Sequence, residues 1–206
     1  MAAIMSRSLA FVACVALAAC SSEPPPSAVA AAKPVALPGR AVVSGSAAPG
    51  VIVTLEPKTP RDFPAPADAR VIDQFGMQFL PSVIVAQVGQ AVEFRSSEDV
   101  LHNVRVDEPE TRTPVFNVAT PPFEIYKHVF DKPGYYNVAC DVHPAMRANI
   151  LVTTTPFAAV ADAKGAFAIP DVEPGPYTAR IYGSGAPIEQ PVEVTAPKTV
   201  LTLAAR

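Results

Sequence analysis

Apolar residues along this chain come in short runs separated by turn residues, with no helical stripe of any length. The runs include "AVVSG", "GVIVTLEP", "PSVIVAQVGQAVEFRSS", "YKHVFDKPGYYNVAC", "RANILVTT", "KGAFAIPD", "YTARIYG" and "PVEVTA". They are rich in valine, isoleucine, phenylalanine and tyrosine, and they recur about every eight to twelve residues, the rhythm of short strands in β-sandwiches. Alternation is plain on both sides of the Gln87–Gly89 bend, with Val83 and Val85 before it and Ala91 to Phe94 after it. The pattern predicts an all-β chain of sandwiches with Greek-key connections.

Two stretches at the start break this rhythm. Leu9 to Ala19 is an apolar run behind Arg7, shorter than the ~20 residues a membrane-spanning helix needs, and it reads as an export signal. It ends in Leu17-Ala18-Ala19-Cys20, which resembles the bacterial lipobox. That resemblance implies a signal peptide over residues 1–19, lipid on Cys20, and, with Ser21 in place of an aspartate, an outer-membrane anchor on the periplasmic side. An ordinary signal peptide cleaved nearby is the alternative. Residues 20–38 then hold the lipidated cysteine and a tether, "SSEPPPSAVAAAKPVALP". At ~3.1 Å per residue an extended tether of this kind reaches roughly 55 Å.

Charge narrows the partners. Of 16 Lys+Arg, all but Arg7 lie beyond residue 19, against 19 Asp+Glu. So mildly acidic a balance gives no reason to expect nucleic acid. Cysteine usage changes the picture more. With Cys14 in the signal and Cys20 carrying lipid, Cys140 is the one cysteine left in the body of the chain. A lone thiol in an oxidising compartment is a hazard unless it is buried or ligates something.

Cys140 sits in "CDVHPAM", with His143 and Met146 on the same loop. His102 arrives from "VEFRSSEDVLHNV", which the pattern places on a loop just after a strand. Two histidines, one cysteine and a weak axial methionine form the ligand set of blue-copper electron-transfer sites. Zinc takes a cysteine, histidine, carboxylate or water as its fourth ligand. Asp141, next to Cys140 at a strand end, would point to the opposite face. His128, in a strand between Lys127 and Val129, reads as a surface or core histidine and is no ligand candidate. Asp99, Asp107, Glu108 and Glu110 read as a solvated loop, with an acidic docking patch as the alternative. No Ser/His/Asp arrangement or phosphate loop suggests an enzyme.

At Cys140, His143, Pro144, Met146, His102-Asn103-Val104 and "PGYYNVAC" the chain resembles the plastocyanin-like cupredoxins, with the loop spacing of the amicyanins. The resemblance covers about 85 residues. It implies one type 1 copper held by His102, Cys140, His143 and Met146, with Asn103 tying the ligand loop and redox proteins as partners. Asp141 departs from the small hydroxyl residue or asparagine common there. Residues 39–58 and 154–206, with "DAKGAFAIPD" and a Pro-Gly-x-Tyr corner, resemble a carboxypeptidase-regulatory-like (transthyretin-like) β-sandwich. The combined pattern resembles bacterial proteins often labelled methylamine-utilization-like. The expected fold is therefore a cupredoxin sandwich, residues 69–153, inserted in a second small sandwich. The alternative gives residues 39–58 to the cupredoxin as extra strands. The expected function is single-electron transfer in the cell envelope. A copper carrier or buffer, or a non-redox adhesion or scaffold module, is the alternative.

Overall fold

In a computed structural model, which describes residues 36–108 and 110–203, sixteen strands and no helix are found among the described residues. The expected signal peptide, Cys20 and all but the end of the expected tether lie outside them. The strands build four sheets around two cores.

The first core lies between a five-stranded and a four-stranded sheet. In chain order these strands are β3 (Arg70–Phe75), β4 (Gln78–Leu80), β5 (Val83–Gln87), β6 (Ala91–Ser96), β7 (His102–Asp107), β8 (Pro114–Thr120), β9 (Ile125–Val129), β10 (Gly134–Ala139) and β11 (Arg147–Thr153). One sheet runs β5-β11-β10-β7-β8 and the other β4-β3-β6-β9. The period of two places alternate residues inward: Val92 and Phe94 on β6, Val104 and Val106 on β7, Tyr136 and Val138 on β10, Ala148, Ile150 and Val152 on β11. Buried polar side chains pair across this core. The Thr120 hydroxyl donates to Gln74 Oε1 (2.9 Å), and Gln74 Nε2 donates to the Arg95 carbonyl (3.1 Å).

The second core is enclosed by the remaining strands. These are β1 (Ala41–Ser46), β2 (Ile52–Pro57), β12 (Ala158–Val160), β13 (Ala166–Val172), β14 (Gly175–Tyr182), β15 (Ile188–Val194) and β16 (Lys198–Leu201). They form the sheets β13-β1-β16 and β12-β2-β14-β15. Val43, Val53, Leu55, Phe167, Ile169, Tyr177, Ala179 and Leu201 fill the space between them. Strand β2 runs antiparallel to β14, from Tyr177 opposite Pro57 to Tyr182 opposite Ile52. The chain leaves this sandwich after β2 and re-enters it after β11. At the re-entry the Thr155 hydroxyl donates to the Leu55 carbonyl (3.0 Å) and the Leu55 N–H donates to the Phe157 carbonyl (2.8 Å).

Four successive residues of β2, Ile52 to Leu55, are buried. Val53 and Leu55 face the second core, whereas Ile52 and Thr54 face the side on which Tyr182 lies parallel to Tyr135 of β10, with ring centroids 6.4 Å apart. The two sandwiches meet there, next to the buried Leu151, which pairs with Tyr135 on β11.

The structure corrects the sequence reading at several strands. His102 opens β7 and does not sit on a loop. Strands β3, β4, β8, β12 and β16 carry weak apolar signals. In β3 one of the two buried inward positions, next to Ile72, is Gln74, satisfied by hydrogen bonds, and β8 is an edge strand that begins with Pro114, a place where the missing N–H costs no ladder bond.

Candidate metal centre

Three adjacent strands of the five-stranded sheet, β11, β10 and β7, have inward rows that end at the same edge of the first core. The β7 row reads Val106, Val104, His102. The β10 row continues past Val138 to Cys140, and the β11 row is preceded by Met146. Alternation therefore carries an imidazole, a thiol and a thioether inward, all three fully or almost fully buried. His143 joins them from the 140–146 loop and is half-buried. That loop is tight: the Met146 N–H donates to the His143 carbonyl (2.9 Å), and the Cys140 N–H donates to the Met146 carbonyl (3.3 Å).

His102, Cys140 and His143 each offer one atom, and these atoms lie within 4.8 Å of one another. His102 Nδ1 and His143 Nδ1 are 3.0 Å apart, and Cys140 Sγ is 3.9 Å from His143 Nδ1. The His143 N–H also points at Cys140 Sγ (3.4 Å). Two imidazole nitrogens and one sulfur thus converge, and with Met146 buried in the same core cluster as Cys140 this donor set fits copper. A carboxylate is missing from the group. Asp141 is turned away: Oδ1 pairs with Arg105 (3.0 Å), and Oδ2 accepts from Asn117 Nδ2 (2.9 Å) and Asn103 Nδ2 (3.3 Å).

Asn103 ties the loops together. Its Oδ1 accepts the N–H groups of Asp141 (2.6 Å) and Val142 (3.3 Å) and the Cys140 thiol (3.3 Å), while Nδ2 donates to Asn117 Oδ1 (2.7 Å). Outside the cluster, His102 Nε2 meets Glu98 Oε1 at 2.8 Å. Burial pushes the Glu98 carboxyl up, but the Met77 N–H, His102 and the Gly76 N–H more than offset it and leave the group below its ordinary value. Glu98, Asn117 and Arg105 escaped the sequence reading, because no periodicity marks a side chain that reaches across strands or out of a loop.

His128 lies apart from the cluster. Its ring packs between those of Phe116 and Phe130 (4.6 and 4.7 Å), and burial lowers its pKa, opposed by Asp131. In the acidic group, Asp107 pairs with Arg105 and Glu108 accepts the Thr111 hydroxyl.

Residues 67–153 match the family described as copper binding proteins, plastocyanin/azurin family, and residues 146–202 match polysaccharide lyase family 4, domain II. The first match makes this segment a cupredoxin domain and indicates copper as its cofactor. It spans less than half of the chain. Among solved structures, amicyanin from Paracoccus versutus is 23% identical, with 50% of this chain and 98% of that chain covered and a TM-score of 0.38. A copper-containing nitrite reductase from Thermus scotoductus is 25% identical over 47% of this chain and 28% of that chain (TM-score 0.39). A purple cupredoxin from Nitrosopumilus maritimus is 20% identical over 41% of this chain and 99% of that chain (TM-score 0.37). A search of the curated proteins found no match.

Proposed function

We propose that this chain is a mononuclear type 1 copper protein that carries single electrons between redox partner proteins in the bacterial cell envelope. One observation carries the reading: the convergence of His102, Cys140 and His143 within 4.8 Å, with Met146 buried in the same core cluster as Cys140. Copper held there supplies a one-electron Cu(II)/Cu(I) couple, for which thiolate and thioether suit the reduced ion and imidazole suits both. His102, Cys140 and His143 are the strong ligands and Met146 the axial one. Asn103 holds the 140–142 backbone against β7, which limits rearrangement when the charge changes. His143 is the electron port, flanked by exposed Val142, Pro144 and Ala145. The chain is read as a carrier rather than an enzyme, and its acidic composition gives nucleic acid no foothold.

Residues 39–58 and 154–206 are read as one discontinuous sandwich, of carboxypeptidase-regulatory-like type, into which the copper domain is inserted. The pairing of β1 and β2 with β12, β13, β14 and β16 supports this division. The lipid anchor on Cys20 and the outer-membrane location rest on the lipobox resemblance. In a bacterium that processes lipoproteins, the full chain should partition with membranes and Cys20→Ala should release it. An unmodified wild-type N-terminus at Cys20 would count against the anchor.

The carrier function is tested by reductive titration of the copper-loaded protein. The expected result is uptake of one electron per chain, full recovery on reoxidation, and copper kept in both states against a chelator. Loss of copper on reduction would contradict it.

A further inference from the structure

His102 is completely buried, so its Nε2 cannot be satisfied by water, and a buried ring nitrogen without a partner is costly. Its partner is Glu98 Oε1 at 2.8 Å. An ionised carboxylate only accepts hydrogen bonds, so the proton must lie on Nε2. This leaves the Nδ1 lone pair of His102 directed at the side where Cys140 and His143 converge.

Glu98 is itself held from a second element. Strands β3 and β4 are joined by the two residues Gly76 and Met77, both at positive φ (61° and 58°), between the paired residues Phe75 and Gln78. That is the two-residue turn whose twist suits a hairpin. Met77 carries a side chain in the left-handed region, where only a few per cent of non-glycine residues lie. The consequence is a pair of successive N–H groups on one side of the turn, a concavity suited to an anion. Glu98 fills it: the Gly76 N–H donates to Oε2 (3.1 Å) and the Met77 N–H donates to Oε1 (3.2 Å). No lysine or arginine pairs with this carboxylate among the described residues. The other carboxylate near the cluster, Asp141, is offset by Arg105 and two amide donors.

We propose that Glu98, hung on the β3–β4 turn, is a positioning residue for the metal site: it fixes the tautomer and orientation of His102, and its charge, paired with no lysine or arginine, favours Cu(II) over Cu(I). The inference deepens the copper reading and rests on it. Partners of this kind, hydrogen-bonded to a ligating histidine, are worth about 10–100-fold in metal affinity. A negative charge beside the ligand favours the more positive ion, so its removal costs Cu(II) more than Cu(I). Each tenfold of that difference raises the potential by about 59 mV for a one-electron couple.

The test compares the full chain with Glu98→Gln and, as a charge-matched control in the second sandwich, Glu193→Gln. Midpoint potential, Cu(II) and Cu(I) affinities and the visible spectrum are measured on each, and nitrogen NMR of the His102 ring on the metal-free proteins. Glu98→Gln is expected to keep the charge-transfer band and lose about 10-fold or more in Cu(II) affinity. Its potential should move positive, while Glu193→Gln matches the wild type. The metal-free wild type should show a slowly exchanging Nε2–H on His102, and the variant a faster one. An unchanged potential and Cu(II) affinity in Glu98→Gln would overturn the proposal, as would an Nδ1-protonated His102 in the metal-free wild type. If Glu98→Gln fails to fold, Glu98→Asp, which keeps the charge but shortens the reach, must still speed the Nε2–H exchange. Unaltered exchange there overturns the proposal. A wild type without a charge-transfer band would instead strike the type 1 copper reading itself, a separate outcome.

Discussion

Two β-sandwiches share this chain, and their cores follow the same alternation. In the second sandwich the inward rows stay apolar to their ends: Val172 closes β13, Val194 closes β15 and Leu201 closes β16. In the copper domain the rows of β7, β10 and β11 run out into His102, Cys140 and Met146. The buried polar residues divide in the same way. Gln74, Gln87, Gln90, Ser96, His102, Asn103, Thr120 and Thr153 lie in the copper domain, against only Thr54 and Thr155 among the described residues of the second sandwich. The second sandwich relies on surface pairs such as Arg40 and Arg61 with Glu173. Periodicity decides which residues face inward in both. Chemistry enters only through the residue type at the last inward position and the hydrogen bonds that hold it.

The largest expected effect separates the two regions outright. Ending the chain after Thr153 removes every partner of β1 and β2, and a small remnant cannot bury enough core alone. Residues 36–58 should become sensitive to protease, while residues 69–153 retain copper. Loss of copper binding in the truncated chain would show that the sandwiches depend on each other more deeply than the contact at Tyr135 and Tyr182 implies.

Single core substitutions sharpen the same contrast. Phe94→Ala, at the centre of the first core, should cost about 3–5 kcal/mol, and Leu55→Ala in the second about 2–5 kcal/mol. Denaturant unfolding of the copper-loaded protein measures both. Only Phe94→Ala should shift the transition followed by the copper band. Coincident shifts in both variants would mean that the two cores unfold as one.

A smaller effect is set by pH. Burial holds the His128 pKa below 6.5 in the folded chain, so the unfolded chain binds more protons over the window just below that value. Stability should therefore fall as pH drops below about 6.5, and the loss should level off once the folded imidazole also protonates. His128→Gln removes this contribution and should flatten the profile there without touching the copper spectrum. An identical pH profile in wild type and variant would contradict it.

The legible part of the structure was the part written as alternation. Runs such as "VEFRSS" and "YYNVAC" announce their strands, and the loop that gathers Cys140, His143 and Met146 becomes specific only together with His102 and the resemblance to the plastocyanin-like cupredoxins. What the sequence reading missed lacks such a signal. Strand β3 has glutamine at an inward position, β8 begins with proline, and His102 stands inside β7 because its partner Thr120 lies on that unrecognised edge strand. The cross-strand bonds from Asn117 and Arg105 to Asp141 depend on register, which no single strand encodes. Glu98 meets the β3–β4 turn only after two separate loops are brought together.

The central claim, that His102, Cys140, His143 and Met146 form a type 1 copper site, is tested most directly by the visible spectrum of the purified chain loaded with Cu(II). The account predicts an intense band towards the red end of the visible range, from charge transfer between the Cys140 thiolate and copper. The band should be absent from Cys140→Ser and retained in His128→Gln. A colourless Cu(II) form of the intact chain, or a band that survives Cys140→Ser, would contradict it.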